Sequence, residues 1–216
     1  MVGTAGRLMR LPWLSIGIAA ACIVSLVVPP LGAFLIYDRN AVASGELWRL
    51  MTAHLVHYTD SHLVANLIVL LPAMVFVEID SRSDLLRVLI VSAIAIGMTV
   101  FVLEPNLSRY AGASGIALAL VTYVALRGMA GNRRWRAVCA VILMLVGLKL
   151  FAETGFGWRW LDWEHESGIV TVTLAHLAGF ASGLSVWLVQ SMSNAEAVRL
   201  WRQDEPALIN QGKPTV

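Results

Sequence analysis

The stretch Ser108–Leu120, SRYAGASGIALAL, decides how this chain is read. It sets a serine, Ser114, between Gly112 and Gly115 at the opening of an apolar run that otherwise reads as a plain membrane helix. Glycine weakens helices and a hydroxyl is costly in hydrocarbon, so this grouping demands a reason. The run is short, because Gly128, Gly131 and Asn132 close it and the connection Glu104–Ala113, with Pro105, precedes it. A short helix starting within the depth of a membrane is implied. Irregular backbone at that depth is tolerated only where protein buries it or a water-filled cavity wets it.

Composition agrees with a membrane setting. Of 216 residues, 58% are hydrophobic and 14% charged, and the mean hydropathy is +0.72, far above that of soluble domains. A spanning helix needs roughly 20 apolar residues, and such segments fall at about 11–36, 62–79, 85–103, 114–130, 135–152 and 169–190. The expected fold is an all-α integral membrane bundle of six transmembrane helices over residues 11–190. The short fourth helix carries the serine, residues 1–10 precede the bundle, and a polar tail, 191–216, follows it. Pro29-Pro30 should end or kink the first helix near Val28. That segment follows Arg7 and Arg10 like a signal peptide but lacks a small-x-small cleavage site, so an uncleaved signal anchor is expected. The tail, with Pro206 and Pro214, reads as a short surface helix followed by disorder.

Charge places the ends. Six spans put both termini on one side, and that side with its connections holds Arg7, Arg10, Arg82, Arg87, Arg127, Arg133, Arg134, Arg136, Arg199, Arg202 and Lys213, the majority of the 16 basic residues. Both termini are therefore expected in the cytoplasm, for a multi-pass protein of a bacterial inner membrane. The outer side holds Tyr37–Ser61 and the segment Glu153–Gly168, whose Trp158, Trp160 and Trp163 suit the headgroup belt. A net charge of +2 with scattered arginines gives no nucleic-acid partner. Cys22 and Cys139 lie in apolar segments, so no disulfide framework is indicated.

Polar residues within spans need a partner or a function. His62 and Asn66, four apart, share one face of the second helix. His176 sits beside a stripe of small residues, Ala175, Gly179 and Gly183, and Gly115 with Ala119 gives the fourth helix a similar stripe. Small residues every fourth position let membrane helices approach closely. Packing along these faces brings Ser114 within reach of His176 near the outer surface. Histidine is the usual base that activates a serine hydroxyl. His62, Asn66 and the free N–H groups at the start of the fourth helix are candidate oxyanion donors, with Gly112 supporting the turn. No acidic residue offers itself as a third member, so a serine–histidine dyad is the simpler reading. The G-x-S-x-G elbow of soluble hydrolases is not matched. Taken singly, each feature also reads as helix packing or an interhelical hydrogen bond. His54, His57 and His62 cluster, but without HExxH or a Cys/His pattern no metal site is expected, and no cofactor.

Across about residues 45–190 the sequence resembles the rhomboid family of intramembrane serine proteases. The resemblance rests on Trp48-Arg49 in the first outer connection, H-x-x-x-N at His62 and Asn66, and Glu78. It continues with GxSG at Gly112–Gly115 and A-H-x-x-G-x-x-x-G at Ala175–Gly183. It implies Ser114 as nucleophile, His176 as general base and His62 with Asn66 as oxyanion support. Trp48, Arg49, Glu78, Gly115, Gly179 and Gly183 become structural residues. It further implies cleavage of membrane-anchored protein substrates near the outer face, without metal. The compact size, HLVHYTDSH and EPNLSRYAGASG look more like the bacterial rhombosortase branch, whose substrates carry C-terminal Gly-Gly sorting tails. Leu118 departs from the histidine usual in that branch and from the tyrosine of many other rhomboids, and Leu174 stands where many relatives have glycine. An inactive, client-binding relative is the alternative that Leu118 keeps open. A small transporter is disfavoured by the lack of a repeat or a charged midplane cluster.

Overall fold

The computed structural model describes residues 11–157 and 172–210, the stretch 194–210 as backbone. The arginines expected before the first span, the tryptophan-rich outer segment 158–168 and the end of the tail lie outside the described residues.

The first apolar segment is two helices, α1 (Trp13–Val27) and α2 (Pro29–Leu35), meeting at an angle of 112°. Pro29 and Pro30 have no N–H to continue the α1 ladder but suit the first turn of a new helix. The chain therefore turns at Val28, and what reads in sequence as one span is a bent pair.

The connection after α2, expected on the outer side, is folded. Short helices α3 (Arg39–Ala43) and α4 (Arg49–Thr52) precede a 3₁₀ turn, Ala53–Leu55. Asp38 caps α3 by accepting from the N–H groups of Asn40 and Ala41. Arg49 is buried against the end of α2, where its Nη1 donates to the carbonyls of Ala33 (2.9 Å) and Ile36 (2.7 Å) while Nε donates to Glu46 (2.6 Å). Thr52 bonds the Leu35 carbonyl. Carbonyls orphaned at a helix end are thereby satisfied, and Trp48 stacks on Phe34 beside them. A two-residue strand, β1 (Tyr37–Asp38), pairs antiparallel with β2 (Arg109–Tyr110), Tyr37 facing Tyr110. This ladder ties the outer connection to the lead-in of the serine.

Helices α5 (Asp60–Asp80), α6 (Arg82–Leu103) and α8 (Arg133–Gly155) are each long and apolar enough to cross a membrane. Between them runs α7 (Ser114–Gly128), and α9 (Thr173–Asn210) closes the chain. Side-chain caps from Thr59, Ser81 and Asn132 start α5, α6 and α8. Glu78 near the end of α5 accepts from the N–H groups of Leu14 and Ser15, from the Ser15 hydroxyl and from Arg82, and so anchors α1.

Helix α7 is buried nearly all round, packed by α5, α6, α8 and α9. At about 1.5 Å per residue it is shorter than the roughly 30 Å hydrocarbon layer. It is too short to cross that layer by itself.

Two boundaries differ from the sequence expectation. The last helix runs past Gln190, its backbone helical to Asn210. Glu153, read as the start of the outer connection, belongs to α8 and is buried.

Candidate active site

Ser114 is placed by a turn that needs glycine. Gly112 has φ +120°, and a Cβ there would stand 2.8 Å from Cε1 and 2.9 Å from Nε2 of His62. The Gly112 N–H donates to the Ala53 carbonyl (3.2 Å), and the Gly112 carbonyl oxygen lies 3.2 Å from Nδ1 of the buried His54. Thus the 3₁₀ turn of the outer connection holds the residue two before the serine. Ser114 then opens α7, whose first N–H groups have no partner within the helix.

His176 is placed by contact between α7 and α9. Gly179 lies against the Gly115 carbonyl and Gly183 against the Ala119 carbonyl, each without room for a methyl group, and a Cβ on Gly115 would meet the Ala175 oxygen at 2.8 Å. With the backbones this close, His176 Nε2 stands 3.0 Å from Ser114 Oγ.

The other side of the ring meets an acid. His176 Nδ1 is 2.8 Å from Glu153 Oε2 and 3.2 Å from Lys149 Nζ. The second oxygen of Glu153, Oε1, is paired with Lys149 one helical turn earlier. The shorter contact to a carboxylate selects Nδ1 as the protonated nitrogen, since a carboxylate accepts and does not donate. Nε2 is then free to accept the serine hydroxyl proton. The Glu153 side chain is 1% exposed, and a carboxylate so buried requires the partners it has.

Glu153 escaped the sequence reading. Its signal was present: Lys149 and Glu153 are two ionisable residues four apart in an apolar stretch, and such residues mark function by default.

His62 rests its ring tip on Gly112, stacks on Tyr58 and meets His57 edge-on at 5.0 Å between centroids. Asn66 is buried, and its Nδ2 donates to the His62 carbonyl at 2.9 Å, so one of its two N–H groups is used within α5. The Gly112 N–H, engaged by Ala53, is not a free donor. Burial holds His54 well below the ordinary imidazole range and, with His62 alongside, brings His57 to about 4. Trp48, Arg49 and Glu78 lie in the α2–α4 and α1–α5 contacts, away from the hydroxyl. Among the described residues, no group of three or more His, Cys, Asp or Glu is placed to hold a metal ion.

Leu118, one turn below Ser114, is buried among Val146 and Leu150 of α8 with Leu177 and Phe180 of α9.

A family model described as Rhomboid domain matches residues 44–193, more than half of the chain. No curated protein matches it at a significant level.

Proposed function

The chain belongs to the rhomboid family, and on that premise we propose that this multi-pass membrane protein is a serine endopeptidase cleaving membrane-anchored proteins near the outer membrane face. The hydrogen bond of 3.0 Å between Ser114 Oγ and His176 Nε2 carries the reading. In this reaction Oγ attacks the scissile carbonyl carbon as its proton passes to Nε2. The carbonyl oxygen becomes an oxyanion, and the imidazolium returns the proton to the leaving amine. Water then attacks the acyl-serine with His176 again as base. The N–H groups at the start of α7, with His62 and Asn66, are the proposed oxyanion donors, and Gly112 supports them by giving His62 its seat.

The short α7 supports a site sunk below the outer surface, reached by the unwound end of a substrate helix. The six apolar segments are read as spans, with both termini cytoplasmic. The rhombosortase-like features point first to substrates ending in Gly-Gly, an apolar helix and a basic tail.

Labelling of detergent-purified protein by a fluorophosphonate serine probe tests this. Wild type is expected to react, and Ser114→Ala and His176→Ala to lose the signal while remaining folded. Equal labelling of Ser114→Ala, or none of folded wild type, rejects the reading.

A further inference from the structure

We propose that Glu153 is a positioning residue that converts the serine–histidine pair into a buried triad, with Lys149 as the counter-ion of its carboxylate. The inference rests on the peptidase reading above. Four observations carry it. Oε2 of Glu153, at 2.8 Å, is closer to His176 Nδ1 than Lys149 Nζ and lies on the ring edge opposite Ser114. The remaining oxygen is held by Lys149, so both carboxylate oxygens are committed and their directions set. Leu118 occupies the turn below the serine within an apolar cluster, and its own aliphatic side chain offers the ring neither a stacking face nor a hydrogen bond. Finally, Leu150, which packs on Leu118, is three residues before Glu153 and so on the same face of α8. The contact that fills the space around Leu118 is therefore the one that delivers Glu153 to the histidine.

The chemistry follows from the tautomer. With Nδ1–H donating to Glu153, Nε2 is the basic nitrogen. When the Oγ proton moves to Nε2, the ring becomes a cation already bonded to an anion. Glu153 stays ionised throughout, and the proton passes from Nε2 to the leaving amine. Lys149 keeps the carboxylate anionic in a setting where an unpaired one would be costly.

A simpler role for the pair would be to neutralise Lys149 within the membrane, and the two roles part in a charge-neutral double variant. The limiting rate and half-saturating concentration of fluorophosphonate labelling are measured on the purified full chain, with thermal midpoints alongside. Glu153→Gln is expected to lower the limiting rate on the order of 10⁴-fold with the half-saturating concentration unchanged, and Glu153→Asp to recover part of it. Lys149→Met/Glu153→Gln, which leaves no unpaired charge, should fold and stay as slow as Glu153→Gln. Wild-type rates in that double variant, or in Glu153→Gln itself, overturn the assignment of Glu153 alone. A folded wild type that does not label removes the peptidase reading and this inference together.

Discussion

The backbone of Gly179 rests on the carbonyl of Gly115 with no space for even a methyl group between them. His176 is one turn before Gly179 and Ser114 is next to Gly115, so this contact sets how far the imidazole stands from the hydroxyl. The distance between hydroxyl and imidazole is thus held by two residues that have no side chains.

Gly179→Val should therefore separate α7 from α9. Overpacking of this kind costs about 1–3 kcal/mol, and a displacement of about 1 Å at reacting atoms can cost roughly 10²-fold in rate. The expected outcome is a lowered thermal midpoint and a labelling rate lowered beyond what the folded fraction explains. Wild-type labelling kinetics in Gly179→Val would show that the helices tolerate the separation.

Gly112→Ala meets two obstacles, the His62 ring and a φ of +120° that L side chains rarely adopt. Backbone strain of this kind costs about 1–3 kcal/mol. Removing the ring in Gly112→Ala/His62→Ala relieves the crowding but not the strain, so the double variant should remain less stable than His62→Ala by thermal denaturation. Equal midpoints would assign the effect to crowding alone.

Burial first, and His62 alongside it, brings the His57 value from 6.5 to about 4. A folded value below the unfolded one means that the unfolded chain binds more protons between these limits. The stabilisation is then complete above about pH 6.5 and is lost as pH falls toward about 4, by up to about 3 kcal/mol. In a Ser114→Ala background the thermal midpoint should fall across this window, and less steeply in His57→Phe. Parallel pH curves for the two proteins would exclude His57 as the titrating group.

Orientation is testable at the last residue. Arg127 pairs with Asp80 (2.6 Å) and Asp84 (3.6 Å) at the end of α7 opposite Ser114, where the basic connections also lie. A reporter fused after Val216 should behave as cytoplasmic, and periplasmic activity would invert the topology.

Several features of this protein follow from sequence alone because their causes are local. Apolar content above 50% rules out a soluble core, and Pro29-Pro30 breaks the first helix at Val28 because a missing N–H and a ring clash act within a single turn. Glycines four apart announce close helix contacts, and Ser114 and His176 stood out as polar groups in such stripes. Neither the folded outer connection nor the role of Arg49 as a clamp on the α2 carbonyls was legible, since the carbonyls it binds lie 13 and 16 residues away. Lys149 and Glu153 signalled a polar pair in an apolar stretch, but the contact of that acid with His176 was hidden for the same reason. Glu153 is separated from it by 23 residues, and an end-of-helix glutamate looks like part of an outer loop. Only the packing of α8 against α7 and α9, which buries Ala152 and Glu153 near the end of α8, decides that this carboxylate faces the histidine rather than water.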